Sequence, residues 1–212
     1  MKKIGVLAIQ GAVDEHIQMI ESAGALAFKV KHSSDLDGLD GLVLPGGEST
    51  TMRKIMKRYD LMEPIRAFAS EGKAIFGTCA GLVLLSKEIE GGEEGLGLIE
   101  ATAIRNGFGR QKESFEAELN VEAFGEPAFE AIFIRAPYLI EPSNEVAVLA
   151  TVENRIVAAK QANILVTAFH PELTNDNRWM NYFLEKMVIK KAVDNLVYCF
   201  CILFIHCLRC CN

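Results

Sequence analysis

Ala74-Ile75-Phe76-Gly77-Thr78-Cys79-Ala80-Gly81-Leu82-Val83-Leu84-Leu85 decides the fold. A short apolar run enters two glycines that bracket a cysteine, and a second apolar run follows. The order predicts a buried strand, a turn too tight for a side chain, and a helix. The same spacing of glycine, nucleophile and glycine builds the nucleophile elbow of serine hydrolases, where the middle residue stands at the top of a sheet. A cysteine at a helix N-terminus also meets free N–H groups and the positive end of the dipole, which favour thiolate. Taken alone, Cys79 reads equally well as a buried core cysteine.

Working outward, short β-type runs alternate with amphipathic segments, the pattern of a parallel sheet covered on both faces. Strands are expected at Lys3–Ile9, Ala25–Lys31, Gly41–Leu44 and Ala74–Phe76. Helices are expected at Asp14–Ala23, at Thr50–Lys57 behind a Ser49 cap, and from Pro64 to Ser70. From about Leu98 the rhythm breaks. Ser114–Val121 and Ala131–Arg135 read as antiparallel strands, Val146–Val152, Arg155–Lys160 and Asn163–Phe169 as a meander, and Asp176–Val188 as a closing helix. The fold class is α/β: one domain over residues 1–188, with a mostly parallel central sheet flanked by helices and an antiparallel extension. Residues 189–212 read as a cysteine-rich apolar appendage outside it.

A chain of 212 residues suits one sizeable core. Its net charge of −6 and the lack of a basic, aromatic-interleaved stretch argue against nucleic-acid binding. Lys3–Ile9 is too short for a signal sequence, and the run Leu196–Leu208 is short of the roughly 20 residues of a membrane span. Cys79 is the only cysteine before Cys199, which excludes a disulfide framework in the body and points to a reducing cytoplasm. In the tail, His206 with Cys207, Cys210 and Cys211 matches no zinc spacing, and the terminus is not a prenylation box.

A cysteine nucleophile needs a base and a group to orient it. His16 reads as a polar-face residue of the first helix and His32 as exposed loop. His170 ends an apolar run and precedes Pro171-Glu172. Proline pushes His170 out of the α region, and in an extended segment residues two apart share a side. Glu172 is then placed to hold the imidazole, completing a Cys79–His170–Glu172 triad; a surface turn is the alternative. Pro45-Gly46-Gly47-Glu48-Ser49-Thr50 follows a strand at the edge where open α/β sheets place their sites. The N–H groups of Gly47 and Ala80 are the natural oxyanion donors, and a glycine-rich turn before a capped helix is the plain alternative.

Together these elements resemble the class I (triad) glutamine amidotransferases, a flavodoxin-like group. More narrowly they resemble the glutaminase subunits of pyridoxal 5′-phosphate synthase. The matching stretches are Gly5–Val13 with Glu15-His16, Leu44–Met52, Phe76–Gly81, Arg105–Gln111, Ser114–Ala117, Ile134–Pro137 and Phe169–Thr174. The resemblance implies Cys79 as nucleophile, His170 as acid and base, and Glu172 as orienter. It implies Gly47, Glu48 and Ser49 in a glutamine pocket, Arg105, Ile134 and Arg135 on the substrate's far end, and Gln10 in a loop that a partner orders. It implies hydrolysis of L-glutamine without cofactor or metal, and transfer of ammonia to a synthase subunit that joins it to a pentose phosphate and a triose phosphate. Asp14, Gly107 and Tyr138 depart from the usual family residues, as does the tail. The competing readings are an amidotransferase serving another synthase, a stand-alone cysteine peptidase or γ-glutamyl hydrolase, and a non-catalytic regulatory subunit.

Overall fold

The computed structural model describes residues 1–109 and 113–188. The readings of the tail, and Arg110 and Gln111 of the Arg105–Gln111 motif, lie outside the described residues.

The chain runs β1 (Lys3–Leu7), α1 (Val13–Ser22), β2 (Leu26–Val30), β3 (Gly41–Leu44), α2 (Ser49–Arg58), α3 (Met62–Ser70), β4 (Ala74–Thr78) and α4 (Ala80–Leu85). It continues with β5 (Ser86–Ile89), β6 (Glu93–Glu94), β7 (Ile99–Ile104), β8 (Ser114–Leu119), β9 (Phe129–Ile134) and β10 (Tyr138–Ile140). β11 (Ala147–Val152), β12 (Arg155–Gln161), β13 (Ile164–Thr167) and α5 (Arg178–Tyr182) follow. The main sheet has the order β2-β1-β3-β4-β13-β12-β10-β7-β5-β6, with β11 on β12, and β8 pairs β9 in a ribbon of its own. The block from β2 to β13 is parallel, in register from Lys3 opposite Leu26 to Thr167 opposite Thr78. β13-β12-β10-β7 is antiparallel, and β5 returns parallel to β7.

Composition explains this split. β3, β4 and β13 are buried at every residue, as strands covered on both faces must be. β7 and β9 alternate buried and open positions, as half-covered antiparallel strands do. Trp179 of α5 and the rings of Phe129, Phe133 and Phe169 form one aromatic cluster, with centroids between 5.4 and 6.1 Å apart. This cluster seats the β8–β9 ribbon on the stretch that leads into His170.

Two expectations need correction. Ser49 is the first residue of α2 and not its cap; Glu48 caps it, its carboxylate accepting the Thr50 and Thr51 N–H groups at 3.0 and 2.8 Å. The closing helix is α only over Arg178–Tyr182 and widens to a π-helical turn over Phe183–Val188. The short strands β5, β6 and β10 have no counterpart among the expected elements, since two to four residues carry too little periodicity to be read.

Candidate active site

Neighbouring strands lie about 4.8 Å apart, so loops leaving the same edge of adjacent parallel strands converge. β3, β4 and β13 are adjacent and parallel. Their exits are the Pro45–Glu48 loop, Cys79, and the Ala168–Glu172 segment. Beyond β3 lies β1, whose exit carries Gln10.

Cys79 has φ 47° and ψ −102°, a left-handed backbone that a β-carbon makes costly. The surroundings hold it there. Its N–H donates to the Thr167 carbonyl at 2.8 Å. The two bracketing glycines touch: a β-carbon on Gly77 would stand 2.7 Å from the Gly81 carbonyl, and one on Gly81 would stand 2.1 Å from the Leu44 oxygen. Only glycine lets α4 lean so closely on β3 and β4. Cys79 is 8% exposed, and its Sγ lies 3.8 Å from the Ile134 carbonyl oxygen.

His170 has its backbone fixed by an N–H bond to the Ile132 carbonyl of β9 at 2.9 Å. Its Nδ1 lies 2.7 Å from Glu172 Oε1. Glu172 reaches it from a 3-10 turn over Pro171–Leu173, so the contact comes from a tight turn and not from the extended segment expected. Burial of the His170 ring opposes its charge. Hydrogen bonds with Cys79 and Glu172, and their negative charge, outweigh that and raise it to about 10. Burial likewise pushes the Glu172 carboxyl up, but His16 first and His170 second hold it below the usual carboxylate range.

A cleft of about 460 Å³ opens over these groups, within the range of small-ligand pockets. Gly47, Glu48, Ser49, Cys79, Ala80, Arg105, Ile134, Arg135 and His170 all line it. Glu172 stands behind His170 and does not. Ala80 opens α4, so its N–H has no partner within the helix. Gln10 lies outside the cleft lining and holds the loop from behind: its Oε1 accepts the Glu48 N–H at 3.2 Å. Arg105 is engaged by Thr50 Oγ1 at 3.0 Å and by Glu93 Oε2 at 3.1 Å, and Arg53 shares that carboxylate at 2.9 Å. No sequence signal marks Glu93 as part of the site; it comes from the short strand β6.

His16 departs most from expectation. It is fully buried and not on a polar face. Its Nε2 lies 3.2 Å from Thr78 Oγ1 and 3.5 Å from Glu172 Oε2. His32 is exposed, as expected. Two of the departures turn out to be one packing unit, because a β-carbon on Gly107 would stand 2.1 Å from the ring of Tyr138. Asp14 forms an exposed ion pair with Lys29 at 2.8 Å.

A doubly wound α/β sheet with a cysteine elbow on its middle strand, and a histidine and glutamate from the next strand, defines an amidotransferase-type protein. The chain belongs to the SNO glutamine amidotransferase family, whose model matches residues 6–189. It is similar to the protein named "Pyridoxal 5'-phosphate synthase subunit PdxT" of Listeria monocytogenes serotype 4b (strain CLIP80459), 99% identical over 188 residues, which are 89% of this chain and 100% of that protein. The protein of the same name from Geobacillus thermodenitrificans (strain NG80-2) is 56% identical over 195 residues, 92% of this chain and 100% of its own. A crystal structure of a glutamine amidotransferase matches with a TM-score of 0.82 at 45% identity, over 86% of this chain and 97% of that one. The structure of PurLQS from Thermotoga maritima shares the fold, with a TM-score of 0.61 at 19% identity over 92% of this chain and 99% of that one.

Proposed function

We propose that residues 1–188 form a glutaminase that hydrolyses L-glutamine to L-glutamate and ammonia and supplies the ammonia to the synthase subunit of pyridoxal 5′-phosphate synthase. The observation that carries this is Cys79 and His170 lining one cleft, with the Glu172 carboxylate behind the ring at 2.7 Å from its Nδ1. The identity with PdxT proteins across nearly all of their length supports the choice of pathway over another synthase.

Glutamine enters beside Gly47–Ser49. Its α-carboxylate meets Arg105, whose planar fork suits a carboxylate, with Ile134 and Arg135 closing the far end. Cys79 sulfur attacks the side-chain amide carbon, and the carbonyl electrons move onto an oxyanion held by the Gly47 and Ala80 N–H groups. His170, held cationic by its two partners, gives its proton to the departing nitrogen, and ammonia leaves. The neutral imidazole then takes a proton from water as the water attacks the γ-glutamyl thioester. The C–S bond breaks, and glutamate and free Cys79 result. Glu172 stays ionised and orients the ring throughout. The chemistry needs no metal and no cofactor on this chain. Gln10 couples the oxyanion loop to the docked synthase. A free Cys79 and the lack of any other cysteine before Cys199 suit the cytoplasm.

The direct test is alkylation by a glutamine-analogue electrophile in the presence of the synthase subunit. Cys79 should be the modified residue, and Cys79→Ser should lose both labelling and glutamine turnover. Undiminished turnover in Cys79→Ser would sink the assignment.

A further inference from the structure

His16 is a buried titratable group that the reaction above does not use. Its polar contacts are few and they constrain its protons. Nδ1 lies 2.7 Å from the Ala12 carbonyl. A carbonyl only accepts, so Nδ1 carries a proton. Nε2 is then the atom that meets the other two partners. Unprotonated, it accepts the Thr78 hydroxyl at 3.2 Å; protonated, its N–H faces Glu172 Oε2 at 3.5 Å.

Glu172 shows the matching gap. Oε1 takes the His170 Nδ1–H at 2.7 Å. Oε2 is shut off from solvent and has no hydrogen bond. A buried carboxylate oxygen without a donor is costly and pulls the group toward protonation. His16 is the group placed to meet that need. It also stands where three parts of the site join. Thr78 precedes the nucleophile, Glu172 orients the base, and Ala12 ends the loop in which Gln10 holds the Glu48 N–H.

We infer that His16 is a positioning residue that serves the second oxygen of Glu172 and extends the Cys79–His170–Glu172 line by one member. The inference rests on the glutaminase reading of that line. Among the described residues, the titratable groups facing Glu172 are His16 from α1, His170 from its own turn and, through His170, Cys79 from the elbow. β9 offers that turn the Ile132 carbonyl and no charge. Without His16 the carboxylate keeps its bond to His170 and loses the group that faces its second oxygen. Its ionisation then rises in pH, and with it the acid limb of any reaction that needs His170 supported by a charged Glu172.

His16→Leu and His16→Gln separate positioning from bulk, since the glutamine amide keeps an N–H near the place of Nε2. The first readout needs no glutamine: the pH dependence of Cys79 alkylation by iodoacetamide in the full chain. It is followed at the Cys79 peptide by mass spectrometry, because five more cysteines lie between Cys199 and Cys211. The acid limb should move up by about one pH unit in His16→Leu, a roughly tenfold slower reaction at a pH below the limb. His16→Gln should restore most of it. In the complex with the synthase subunit, kcat for glutamine should fall in parallel at that pH, with KM unchanged. An unmoved limb in His16→Leu, or equal effects of both variants, would overturn the proposal. Loss of glutamine turnover in the wild type would instead strike the glutaminase reading and leave the alkylation result standing. Should His16→Leu fail to fold, ring ¹⁵N shifts of the wild type decide: a proton on Nδ1 is expected, and a bare Nδ1 overturns the scheme.

Discussion

Gly46 packs directly against the ring of His170. A β-carbon there would stand 2.5 Å from His170 Cε1 and 3.4 Å from the Cys79 β-carbon. The ring must yield, and in the proposed reaction a displacement of the proton-moving group by about 1 Å costs on the order of 10²-fold in rate. Gly46→Ala should therefore lower kcat for glutamine about 100-fold while thermal melting shows a folded protein; a kcat near wild type would show that the ring has slack. Individual residues also show how far the chain could be read before its fold was known. Cys79 and His170 stand out because their signals are local, a glycine bracket and a following proline. His16 does not, although a signal was present. It lies at i−3 and i−4 from Met19 and Ile20, which form the buried stripe of α1, so helical spacing puts it inside. What hides it is a nonlocal fact: the turn holding Glu172 packs over that stripe.

At the scale of elements, α2 depends on the loop that precedes it. The Glu48 carboxylate accepts the Thr50 and Thr51 N–H groups and the Thr51 hydroxyl, the last at 2.6 Å. Those bonds outweigh the cost of burial and lower it to about 2. A carboxyl depressed from 4.5 stabilises the fold above that pH, and the contribution fades as pH falls toward about 2. Losing such a cap costs about 1 kcal/mol, equivalent to roughly 3 °C in a chain of this size. Glu48→Ala should melt about 3 °C below wild type at neutral pH, and the gap should close in acid. A gap of the same size at pH 2.5 would mean that the carboxylate is not the cap. This element also marks where sequence reading stops. The β1 to β4 half follows from periodicity and turn residues because each signal lies within its own segment. β5 and β10 exist by pairing with β7, and β6 by pairing with β5, contacts that composition does not encode. Glu93, on β6, reaches Arg105 for the same reason.

Across the whole molecule, the parallel block supplies the elbow and its loops, and the antiparallel half holds His170 in place through Phe169, β9 and the Ile132 carbonyl. The site thus joins the two halves, and its charges should report on the stability of both. His170 is raised from 6.5 to about 10 in the folded chain. A base raised in this way stabilises the fold fully below about pH 6.5, and the contribution drains away between there and about 10. Glu172 is lowered from 4.5, so its contribution is complete above that pH and is lost below it. Both contributions are complete together between about 4.5 and 6.5. Melting curves of wild type and His170→Gln, taken across that range and up to pH 10, test this at the level of the fold. The variant lacks the titrating ring, so its deficit in Tm should be greatest near pH 5.5 to 6.5 and shrink steadily toward pH 10. A deficit that stays constant over the alkaline range would show that His170 enters the fold neutral. Cys79 would then meet a neutral imidazole, which would first take the thiol proton and afterwards pass it to the departing nitrogen.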